Sequence, residues 1–156
     1  MHKRFVPFLL ATALALLVGL LFPGPAVWAA DETGTFTGLG PNATIRGTLD
    51  GVSKSYSGGT MNFQLSGGQV VPTFCTDIRH SVSSGNTFVT SNEVMACSIR
   101  WLLLHYPPRL SGYTPWPDRA GALSNMGQEM AARQAALWHF SDGFLPDAGT
   151  TVGARA

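Results

Sequence analysis

Two residues of this chain could form a covalent bond with each other. Cys75 carries a thiol, and Gln134 carries a carboxamide inside the apolar run Gln134-Ala135-Ala136-Leu137-Trp138. They stand 59 positions apart. A thiolate beside a side-chain amide can attack its carbon, expel ammonia and leave a thioester. Burial would hold the two groups at high effective concentration and keep water away. A glutamine on a helix's apolar stripe otherwise needs ordinary partners for its amide, because leaving it unpaired costs on the order of a few kcal/mol.

The remaining reactive side chains fit poorer patterns. His80, His139, Asp77 and Asp142 could in principle serve a cysteine nucleophile, but no hydrolase motif surrounds them. His139 and Asp142 follow Gln134 closely and, with Asp77, are candidates to assist proton transfer during acyl exchange. A zinc set of Cys75, His80, Cys97 and His105 has none of the usual ligand spacings, so neither metal nor cofactor is expected. No phosphate-cradling glycine loop and no Gly-x-Ser-x-Gly turn occurs. In an exported chain a pair of cysteines also suggests a Cys75–Cys97 disulfide, and the residues alone leave that alternative open.

The elements that must position these groups change character along the chain. Residues 33–39, 43–49 and 60–65 alternate with the period of half-buried strands, and Asp50-Gly51 and Ser66-Gly67-Gly68 are turn signals. Residues 69–78 read as a further strand, which Pro72 places at an edge or makes start late. A short run follows at residues 87–89. Then Thr90 and Glu93 have the form of a capping box before a helix ending near His105, where Tyr106-Pro107-Pro108 stops it. Val94, Cys97, Trp101 and Leu104 form its apolar stripe. Asn125 and Gln128 cap a second helix over residues 126–140, with Gly143 as its left-handed end. The tail from Phe144 is assigned no more than a strand or a frayed end. Strands first and helices second predict an α+β fold, a small antiparallel sandwich or barrel followed by a helical subdomain.

The first residues are a targeting signal rather than fold. A basic start is followed by an apolar run to Phe22, a Pro23-Gly24-Pro25 breaker and the small-residue site Val27-Trp28-Ala29. This is the layout of a secretory signal over residues 1–29, with an uncleaved anchor as the alternative. The expected mature domain is residues 30–156, secreted or held at the cell surface. Loss of Lys3 and Arg4 takes the formal charge from +1 to −1, which suggests no nucleic-acid partner and no membrane contact beyond the leader. Lys54 is then the only lysine, so the domain has few side-chain amines of its own.

Three short motifs carry a resemblance. Phe74-Cys75-Thr76-Asp77 closes a strand, a helix ends in Leu103-Leu104-His105-Tyr106-Pro107, and Gln134-Ala135-Ala136-Leu137-Trp138 precedes Phe140-Ser141-Asp142-Gly143. In this order they resemble the thioester domain of Gram-positive surface adhesins, firmly from residue 74 to 143 and more loosely back to 33. The resemblance implies an internal Cys75–Gln134 thioester that reacts once with an amine, such as a lysine of a target surface protein. That is single-turnover covalent adhesion, not conventional enzyme catalysis. Arg133 stands where that family often has threonine, and the family's domain continues with further strands, so a short or truncated form is expected. The alternative from a different class is a non-covalent protein- or glycan-binding module. Trp101, Trp116, Trp138, Tyr106 and Tyr113 could line its binding face, Trp116 being the best exposed and Trp101 and Trp138 being expected in the core.

Overall fold

A computed structural model describes residues 32–89, 95–110, 123 and 125–156, all within a compact unit spanning 31–156. The expected leader lies outside the described residues. So do the Thr90 and Glu93 cap, Val94, Tyr113 and Trp116.

The order of elements is α+β, strands followed by helices. Strand β1 (Thr33–Leu49) and β2 (Val52–Leu65) form a long hairpin closed by Asp50-Gly51. Both turn residues have positive φ, 52° and 76°, the requirement of a turn that matches strand twist. The alternating runs at 33–39 and 43–49 belong to one strand, whose register shifts between Leu39 and Asn42 around Gly40-Pro41. Proline supplies no ladder donor, so the pairing slips there without breaking the strand.

Strands β3 (Val70–Thr73) and β4 (Thr87–Val89) complete the sheet order β3-β2-β1-β4. Pro72 is on an edge strand, as its missing donor demands. A two-residue strand β5 (Leu145–Pro146) also pairs with β1. All the pairings are antiparallel.

The helices are α1 (Cys97–His105), α2 (Met126–Asp142) and α3 (Thr151–Arg155). Asn125 caps α2 by accepting from the Gln128 N–H, and Gly143 ends it at φ 72°. The tail is ordered, not frayed. Thr150 caps α3 by accepting from Gly153 N–H, and Val152 enters the core. A lone turn's worth of sequence gives little periodicity, so its helical state came from docking.

Helix α2 lies across β1 and β2. Ala131, Ala132 and Ala135 face Ile45, Leu49, Ile78, Phe144 and Val152, and their small side chains let helix and sheet approach closely. Gly58 on β2 receives Trp138. A Cβ there would meet Ile45 Cδ1 at 2.3 Å and the indole at 3.1 Å.

Helix α1 presents a different face from the one its spacing suggested. Ile99 is buried, while Trp101 and Leu104 are 50% and 69% exposed and Cys97 is exposed. Both sides of α1 are apolar, so periodicity alone does not choose between them. The side carrying Ile99, Leu102 and Leu103 is the better buried.

Candidate functional site

Successive turns of α2 grip one loop. Gln134, Trp138 and Asp142 recur every fourth residue, which aligns them along one helix face. The loop is the segment just past β3, from Phe74 to His80. Strand pairing ends at Thr73, earlier than the expected end near Ile78. Cys75 is therefore in a loop beyond the ladder, and the helix supplies the hydrogen bonds that the ladder no longer gives.

The Gln134 amide provides the first grip. Its Oε1 accepts from the Cys75 N–H at 2.9 Å, and its Nε2 donates to the Cys75 carbonyl at 2.6 Å. The side chain acts as a neighbouring strand would, satisfying both backbone groups of one residue. Gln134 is 1% exposed. Its acyl carbon is thus screened from water and fixed against the residue whose thiol would attack it.

Trp138 comes next. Its ring packs on Tyr56 and Phe144, and its buried indole N–H has no conventional hydrogen-bond partner. The Cys75 thiol is half-buried against the core and donates to the Asp77 carbonyl at 3.0 Å. Burial pushes its pKa above the ordinary thiol value. The Asp77 backbone and the Trp138 indole pull the other way, the Asp77 and Asp142 charges add to the rise, and the net shift is upward.

Asp142 supplies the last grip. It accepts from the Ile78 N–H at 3.2 Å, from Arg79 Nη1 at 2.9 Å and from the Ser141 hydroxyl at 2.7 Å. Arg79 continues to Asp50 in the β1–β2 turn. The loop bearing Cys75 is therefore tied to both helix and hairpin, which limits how far the thiol can drift from the amide.

Comparison with known families, curated proteins and solved structures finds no match.

Of the residues expected to take part, the fold brings Cys75, Gln134, Asp77 and Asp142 into one region. His139 is directed elsewhere, its Nδ1 paired with the Phe144 carbonyl at 3.0 Å on an exposed helix end. His80 joins the site instead through Asp77, with Nδ1 to carboxylate oxygen 2.5 Å. The Asp77 carboxyl is held below the usual carboxylate range, first by that hydrogen bond and then by the Arg79 N–H.

The two cysteines are unpaired, Cys97 on the exposed side of α1. Among the described residues no group of three or more His, Cys, Asp and Glu gathers as a metal site would require. Nor, among them, is any helix long and apolar enough to cross a membrane.

Sequence reasoning missed a second polar cluster. Glu129 is fully buried on α2 and accepts from Arg133 Nε, from Arg155 Nε and Nη2, and from the Leu123 N–H, all at 3.0–3.1 Å. Arg133 also donates to the Pro107 carbonyl at 2.9 Å, joining the exit of α1 to α2. The arginine that departs from the adhesin pattern thus has a structural task. The i,i+4 spacing of Glu129 and Arg133 was the available signal; Arg155, far off in sequence, gave none.

Proposed function

We propose that this chain is a secreted or surface-exposed thioester domain that captures an amine of a target surface protein, such as a lysine, through Gln134. The observation that carries this reading is the Gln134 amide clasped on both backbone groups of Cys75 and nearly sealed from water. Cys75 gives up its thiol proton and attacks the Gln134 Cδ as thiolate; the C–N bond breaks, and the nitrogen takes up that proton and leaves as ammonia. A target amine then attacks the same carbon, the C–S bond breaks, and an amide joins the two proteins. Cys75 departs as thiolate and takes up a proton.

The raised thiol pKa bears on both steps. After capture, the released sulfur is mostly thiol at neutral pH, which slows its attack on the new amide. Before capture, thiolate is scarce and limits thioester formation. Below the thiol's raised pKa, formation in freshly refolded protein is expected to quicken about tenfold per pH unit. Ammonia release measured from pH 6 to pH 9 checks this, and a flat profile would contradict it.

Labelling with methylamine tests the function itself. The expected product carries one methylamine, mapped to Gln134, with Cys75 newly alkylatable. Cys75→Ala should take up none. Labelling that persists in Cys75→Ala, or no labelling of the native protein, would sink the reading and favour a non-covalent binding module.

A further inference from the structure

A groove of about 430 Å³ opens beside Cys75, between the β3 end of the sheet and the loop that follows it. Met61, Phe63, Val71 and Phe88 make its apolar wall, and Cys75, Asp77 and His80 line it too. Phe63 and Phe88 meet edge to face, with ring centroids 5.2 Å apart, so that wall is aromatic and braced. Gln134 does not line the groove, but its amide is hydrogen-bonded to both backbone groups of Cys75, which does. A charged carboxylate beside a long apolar trough matches one chemistry above others: a cationic head on an aliphatic stem.

We propose that this groove receives a primary alkylamine of about lysine length, its stem along Met61, Phe63 and Phe88 and its ammonium at the Asp77–His80 pair. The inference rests on the thioester reading. It adds the route by which the amine arrives and the groups that prepare it. Amines are protonated at neutral pH and are not nucleophilic in that form. The Asp77–His80 pair attracts the ammonium and accepts one proton from it. The free amine then attacks the Gln134 Cδ; the C–N bond forms, the C–S bond breaks, and the Cys75 sulfur takes a proton. Asp77 is fit to attract the ammonium because its carboxylate stays ionised well below neutral pH, and the His80 imidazole held against it is the group that accepts the proton.

The test compares n-pentylamine with methylamine on the native full chain, following adduct formation by intact mass. Pentylamine should react about tenfold faster, the low end of what one matched methylene contact gives in a formed apolar pocket. In Phe88→Ala, a change at a half-exposed side chain, that preference should fall severalfold while methylamine still reacts. Asp77→Asn keeps the acceptor for Arg79 N–H and should slow both amines at neutral pH, with the loss recovered as pH rises toward the amine's own pKa. Equal rates for the two amines in native protein would overturn the groove's role and leave the thioester intact. Absence of ammonia loss before any amine is added would overturn the thioester, and the groove assignment with it.

Discussion

Glu129→Ala is expected to lower the unfolding free energy by about 3–5 kcal/mol, the cost of stripping one partner from a buried ion pair. The carboxylate has no solvent exposure and four hydrogen bonds, and Arg133 beside it is 6% exposed. Removing it takes the Glu129 ion pair from the Arg133 guanidinium and frees the end of α3, whose Arg155 has no other salt bridge among the described residues. Burial alone would raise this carboxyl's pKa. Hydrogen bonds from Arg155 and Leu123, the Arg155 charge and the Arg133 hydrogen bond outweigh it, and the net shift is downward. Glu129 therefore stabilises the fold above the ordinary carboxylate pKa, about 4.3, and loses that contribution as pH falls through its depressed value. Urea denaturation at pH 7 should show the full difference between native and variant protein, and the gap should narrow below about pH 4. An unchanged gap across that range would contradict the ionised cluster.

Cys75→Ala should also cost about 4 kcal/mol, and for a reason absent from the folded contacts. A thioester between residues 59 positions apart closes a loop in the unfolded chain, and in the chain-entropy account that constraint is worth about 4 kcal/mol. The substitution leaves the Cys75 backbone, and so both Gln134 hydrogen bonds, in place. Without a covalent link it would remove only a half-buried thiol, for about 1 kcal/mol. Gln134→Ala loses the link together with the two hydrogen bonds and should be the more damaging of the pair. Equal, small losses in Cys75→Ala and in a surface control would speak against the cross-link.

The sequence marked the features that local chemistry dictates. Asp50-Gly51, Asn125 and Gly143 sit where their backbone and capping preferences require, and Pro72 is on the edge. The juxtaposition of Cys75 and Gln134 was implied by the resemblance; the residues alone said only that a glutamine amid alanine, leucine and tryptophan has to find partners. What escaped was decided by tertiary packing. Helix α1 has apolar residues on both sides, and only docking selected Ile99 over Trp101. The buried Glu129 cluster depends on Arg155 returning from the chain's last helix, a contact across 26 positions. The loop at Cys75 left its strand early because a side-chain amide on α2 took the place of a neighbouring strand.

In the thioester reading Cys75 and Gln134 become one covalent unit. Intact mass of the protein, purified without added amine, tests it most directly. The thioester account predicts a mass lower than the sequence by one ammonia, with the deficit gone in Cys75→Ala and in Gln134→Ala. A full sequence mass with both thiols free to alkylation, or a deficit of two hydrogens that reduction restores, would contradict it.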